Sequence, residues 1–328
     1  MKTLTLQKKN DGPSRTAVVG TISIVLMILA GSIYPVFGKK LTTAFSPLSL
    51  LFISEMMGGL FIMLSFGLLP LIKKLRKVKR REGITLLWIA ITSGVLAPYF
   101  WFAGLHGTTA VNAELYSRSE MIFLILLSAV ILRERLTKHH FLSLGIILFG
   151  VLCVALKGFT VGFSMGSGDV LIVASAITYA FGGIFVKRDL KNVHPELIIF
   201  TRALCATAFF FASSAFVSQN FIAELRTMPS DIVGALLVYG FVGKFLGTYS
   251  FHEAIETLKV ATVSMFSTLA VVGGMTFAAL YLGEEIHGYQ MVGAAFIVLG
   301  VLSLQHVGHH ATRKVHEHHM RQHHRHHL

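Results

Sequence analysis

Six ionisable side chains interrupt runs that are otherwise apolar enough for lipid: Glu55, Glu114, Arg118, Glu120, Arg202 and Lys244. An ionisable group at mid-bilayer costs roughly 2.5–3.5 kcal/mol on insertion scales, so each is expected to face a cavity or a partner. Glu55 stands eight residues after Pro47, and Arg202 seven after Pro195, in two segments that correspond by internal repetition. A Glu–Arg pair across the internal axis would be a gate or substrate contact, or else a static bridge between the halves. Glu114 and Arg118 are four apart and can pair on one helical face, while Glu120 points elsewhere. With Asn112, Tyr116 and Ser117 they make 112–120 the least lipid-compatible stretch of any span. Arg118 would hold a substrate carboxylate or phosphate, bidentate where geometry allows. A buried carboxylate such as Glu120 would carry a coupling proton. The alternative is a helix that starts later, with Glu114 at the outer surface. Lys244, among Gly240, Gly243 and Gly247, either points into a cavity or snorkels to the interface. Three buried cations suit an anionic or zwitterionic solute.

These residues need spanning elements to hold them. The chain is 54% hydrophobic and 14% charged over 328 residues, and a spanning helix needs about 20 largely apolar residues. Ten candidates lie near 17–38, 47–72, 84–105, 109–132, 139–157, 168–187, 195–218, 231–252, 259–282 and 288–306. Residues 94 to 152 match 244 to 302 without a gap at an offset of 150: Tyr99 meets Tyr249, Ser117 meets Ser267, Glu134 meets Glu284, and Gly150-Val151 meets Gly300-Val301. The polar link in the first copy is basic (Arg133-Glu134-Arg135) and in the second acidic (Gly283-Glu284-Glu285). Positive charge is kept on the cytoplasmic side, so the two links belong on opposite faces. The fold class expected is an all-α membrane protein of ten transmembrane helices arranged as two inverted five-helix repeats, an arrangement typical of secondary transporters.

The net charge of +13 would invite a nucleic-acid partner, but its distribution argues against one. Seven of the 29 Lys and Arg lie in 73–81, three in 133–138 and three in 187–191. That pattern is a topology signal, placing both termini and these loops in the cytoplasm. The 73–81 run would anchor the interface, or touch anionic lipid heads. Residues 1–30 look like a signal peptide, yet cleavage is not expected, because Tyr34–Lys40 has a counterpart in Phe181–Arg188. Cys153 and Cys205 sit in apolar runs and read as packing. Aromatic clusters at Trp88, at 99–102 and at 209–211 read mostly as interface belt or packing.

The pattern Ser119-Glu120, then Glu134-Arg135-Leu136-Thr137, a short helix and Gly150-Val151 resembles the EamA repeat of the drug/metabolite transporter superfamily. The stretch from Leu282-Gly283-Glu284 to Gly300-Val301 is similar, and the resemblance covers 17 to 306. It implies ten helices, cytoplasmic termini, helices five and ten at the periphery, a central cavity walled by both halves, and export of amino acids or other small metabolites. Two departures stand out. Met121 takes the place of the frequent Pro after the fourth-helix Glu, and Ala270 stands where a second Glu120 would be.

The expected organisation is a cytoplasmic 1–16, repeats at 17–157 and 158–307, and a His-rich cytoplasmic tail 308–328, all in the cell (inner) membrane. The tail pairs His309-His310, His318-His319 and His323-His324 would bind divalent metals loosely. No P-loop and no catalytic triad is visible, so neither an enzyme nor a bound cofactor is expected. The expected partners are a small-molecule substrate, the lipid bilayer, and a proton or ion for coupling. Two alternatives remain: a sugar-phosphate or nucleotide-sugar transporter, and a metal-responsive sensor or scaffold acting through the tail.

Overall fold

The computed structural model describes residues 15–134, 136–160, 165–190, 193–214, 216, 221–247, 249, 250, 253, 254, 263 and 266–304. Every regular element among them is helical. The helices are α1 (Arg15–Leu41), α2 (Pro47–Phe66), α3 (Leu68–Arg76), α4 (Arg80–Gly107), α5 (Ala110–Ser117), α6 (Ser119–Ile131) and α7 (Lys138–Ala155). The second half adds α8 (Ser167–Asp189), α9 (Pro195–Ser214), α10 (Phe221–Thr227), α11 (Ser230–Leu246), α12 (Leu269–Leu282) and α13 (Gly288–Leu304). Six helices are long and apolar enough to cross a membrane: α1 (from Val18), α2, α4, α7, α8 and α9.

Six of the ten expected spans, near 17–38, 47–72, 84–105, 139–157, 168–187 and 195–218, coincide with these helices, while those drawn at 231–252 and 259–282 lie partly outside the described residues. The span drawn at 47–72 stops at Phe66, because Gly67 takes a φ of 77°, a left-handed value that glycine adopts without a Cβ penalty. The chain then starts α3, whose last turn carries Lys73, Lys74 and Arg76. The span at 109–132 is two helices. At Arg118 the ladder tightens: its N–H reaches the Leu115 carbonyl at 3.3 Å, three residues back. The short α10, unforeseen from sequence, precedes α11 at a bend of 113°.

Two helices widen where the site lies. In α4 the π turn Thr92–Leu96 precedes Pro98. Proline's ring clashes with the carbonyl four residues earlier, here that of Gly94, which favours the wider turn. In α11 the π segment Tyr239–Leu246 includes the positions that match 92–96 at the offset of 150.

The two halves interlock. α2 lies against α9, α8 against α4 and α6, and α1 against α12 and the π segment of α11. The repeated glycines serve the crossing of α7 and α13: a Cβ on Gly150 would lie 2.7 Å from the Gly293 carbonyl oxygen, so only glycine admits that approach.

Candidate functional site

A buried knot of three charges joins the halves. Ser46 caps α2 through its side chain and Pro47 takes the first turn, which brings Glu55 inward at 4% exposure. Arg202, from α9, donates to Glu55 Oε1 at 2.8 Å, and Lys244, from the π segment of α11, donates to the same oxygen at 3.0 Å. Gly94 in the α4 π turn makes room, since a Cβ there would meet Arg202 Cβ at 3.0 Å. Lys244 Nζ also sits 5.5 Å from the centre of the Tyr34 ring, a cation–π distance. Lys244 therefore faces inward rather than snorkelling.

Arg202 and Lys244 stand between two cavities. One, of about 480 Å³, runs from Glu55 past Ile199 to Lys74, His194 and Glu196 at the end that carries the basic loops. The other, of about 580 Å³, is central and is lined by Tyr34, Trp101, Glu114, Arg118, Glu120 and Tyr179, among others. Arg118 pairs with Glu114 one turn away. Glu114 is 4% exposed, so the alternative that set it at the outer surface does not hold.

Three buried donors around the central cavity, Trp101 Nε1, Arg118 Nε and Arg202 Nε, have no acceptor among the described residues. An unsatisfied buried N–H costs about 1–3 kcal/mol. Their residues line the central cavity, but these three nitrogens are shut off from its surface.

The sequence reading brought together Glu55 and Arg202, and separately Glu114, Arg118 and Glu120, and left Lys244 by itself; the structure adds Lys244 to the first pair. All six line one or both cavities. It missed Tyr34 and could not choose Trp101 from its aromatic cluster. Tyr34 stacks on Trp101 and Tyr239, at 5.8 and 5.2 Å between centroids. The one signal for Tyr34 was a hydroxyl-bearing ring in the middle of an apolar run.

A sequence model of the EamA-like transporter family matches residues 18–156 and again 166–304. The chain belongs to the EamA-like transporter family. It is a multi-pass integral membrane protein with the two-repeat architecture of that family. An uncharacterized transporter of Bacillus subtilis (strain 168) is 26% identical over 207 residues, 62% of this chain and 67% of that protein. A protein of Escherichia coli (strain K12) named a probable amino-acid metabolite efflux pump is 29% identical over 217 residues, 62% of this chain and 70% of the relative. A solved crystal structure at 16% identity superposes with a TM-score of 0.58 over 92% of this chain and 99% of its own, which shows the same fold. In this EamA transporter no group of three or more His, Cys, Asp or Glu among the described residues could hold a metal ion. The tail histidines His309, His310, His318, His319, His323 and His324 lie outside the described residues.

Proposed function

We propose that the chain is a secondary-active exporter of small anionic or zwitterionic metabolites, such as amino acids, working by alternating access. The observation that carries this reading is the set of three cationic residues, Arg118, Arg202 and Lys244, that line the central cavity. A carboxylate offers two oxygens and about four acceptor positions, a good complement to such a set. Two relatives bear the name of probable amino-acid metabolite efflux pump. Glu55 already engages two of the cavity's cations, which favours a single carboxylate over a phosphorylated sugar.

In this reading ten spans form two inverted repeats, 17–157 and 158–307, in the cell membrane with both termini cytoplasmic. Reporter fusions at Arg81 and Leu328 should then both score cytoplasmic, and a split result removes the topology. The Glu55 knot is the gate: Glu55 belongs to one repeat and Arg202 and Lys244 to the other, so rocking of the halves parts them and joins the two cavities. Glu120 carries the coupling proton.

The test is counterflow of a radiolabelled amino-acid mixture into proteoliposomes preloaded with the unlabelled mixture. Wild-type protein should accumulate label above empty vesicles. Arg118→Lys should lose several-fold, because the planar fork is gone while the charge stays. Wild-type vesicles that behave like empty ones overturn the amino-acid reading.

A further inference from the structure

Glu120 has cavities on both sides. Facing one way it lines the central cavity, where Glu114, Arg118, Tyr179, Arg202 and Lys244 also stand. Facing the other it ends a side cavity of about 290 Å³, lined by Leu124, Ser128 and Gly183 and then by the titratable trio Glu134, His140 and Lys187. Glu120, Leu124 and Ser128 are spaced four apart on α6 and so stack on one face, a rise of about 12 Å over eight residues. At the far mouth Lys187 donates to Glu134 at 2.8 Å, with both side chains exposed. This mouth opens at the basic-loop end, yet the side cavity shares no lining residue with the cavity below Glu55.

Glu120's own bonding points the same way. Its carboxylate makes no hydrogen bond or ion pair among the described residues. The nearby cation, Arg118, is committed to Glu114, and Arg202 is committed to Glu55. An unpaired carboxylate that deep is costly when charged and is relieved by a proton, provided that the proton can arrive.

We propose that the side cavity is a proton entrance: protons reach Glu120 from the basic-loop end along α6 without crossing the Glu55 knot, so proton and solute use different doors. A proton from solvent binds a Glu120 carboxylate oxygen, neutralises it, and later leaves to water on the central-cavity side. Only an O–H bond is made and broken. The inference rests on the exporter reading solely in calling the proton a coupling ion.

The experiment treats the purified, full-length protein in detergent with a water-soluble carbodiimide, to which a protonated carboxyl gives its proton and then adds through oxygen, and maps adducts by mass spectrometry across a pH series. Exposed Glu285, at the opposite end, is the internal reference. Glu120 should take the label, and its rate should fall about tenfold per pH unit once the pH exceeds its midpoint. Two plugs test the route. A Cβ on Gly183 would meet Leu124 Cδ1 at 3.4 Å, an ordinary contact, so Gly183→Leu fills the side cavity, and Ser128→Leu fills it from the α6 wall. Each should slow Glu120 labelling several-fold relative to Glu285. A Glu120 unlabelled at every pH, or labelled at the wild-type rate in both plugged variants, overturns the proposal. Labelling needs no solute. A protein that moves no amino acid thus counts against the exporter reading, and an unreached Glu120 counts against the entrance.

Discussion

The two ends of the bundle are held by different chemistry. At the basic-loop end the fastenings are ion pairs whose cations are exposed: Lys74 to a largely buried Glu196 at 2.9 Å, Arg81 to a largely buried Asp189 at 3.2 Å, and Lys187 to an exposed Glu134 at 2.8 Å. At the other end they are mostly helix caps and hydrogen bonds with one charged partner, beside one ion pair, Lys40 to Asp231 at 2.9 Å. The Glu284 carboxylate accepts from Ala110 N at 2.7 Å and Val111 N at 2.9 Å, closing the start of α5. Lys39 donates to the Leu105 carbonyl at 2.6 Å, Gln290 to Asn112 at 2.7 Å, and Thr108 to Asp169. Phe37 stacks on Tyr281 at 4.9 Å. Exposed ion pairs contribute about 0–1 kcal/mol, whereas hydrogen bonds to a charged group contribute about 1.5–3 kcal/mol. Two of the cavities reach the basic-loop end. Glu134 and Glu284, the same residue in the two repeats, thus serve opposite ends, one in a solvated pair and the other on a helix start.

The largest expected effect lies between the ends, and it tests whether the middle holds the halves more firmly than either rim. Arg202→Ala leaves Glu55 short of one partner, and breaking a buried pair costs about 3–5 kcal/mol; thermal unfolding in detergent should show it. A loss no larger than that of Glu134→Ala would return the main burden to the rims. The swap Glu55→Arg with Arg202→Glu separates roles. Recovered folding with dead counterflow supports a gate, and recovery of both makes the pair a static bridge.

Next comes Glu284→Ala, which strands two N–H groups at about 1–3 kcal/mol each. It should also let a membrane-impermeant maleimide reach the cysteine of Phe277→Cys, where the native ring stacks on Phe37 and Tyr281. Unchanged stability and an unreactive cysteine would erase the contrast between the ends. The smallest effect is expected for Glu134→Ala, below about 1 kcal/mol. A loss matching that of Glu284→Ala would show that both ends are equally fastened.

Much of the site was legible in the sequence because charge in an apolar run is rare and its register can be counted. Glu55 and Arg202 meet as their distances from Pro47 and Pro195 suggested, and Glu114 pairs with Arg118 as four-residue spacing requires. The third partner was harder to see, since Lys244 had a snorkelling alternative that only depth in the bundle decides. Trp101 was hidden among neighbouring rings, because an indole at a belt and an indole on a cavity have the same local sequence. The repeat alignment paired Glu134 with Glu284 but could not show that one caps a helix, a contact to a backbone 174 residues away. Breaks escaped as well: Gly67 sits inside an apolar stretch and Arg118 in a polar one that reads as cavity lining, while the backbone turns on a positive φ in one case and a tightened turn in the other.

The π segment of α11 has one more consequence. A wide turn stores a spare residue, and a helix that holds one can pass it along like slack in a coiled rope. Each residue accounts for about 100° of helical rotation. Shifting the slack past Lys244 would swing its ammonium to another azimuth with the chain on either side still wound. The grip on Glu55 can thus be let go by turning a spindle, with no strand of the rope cut.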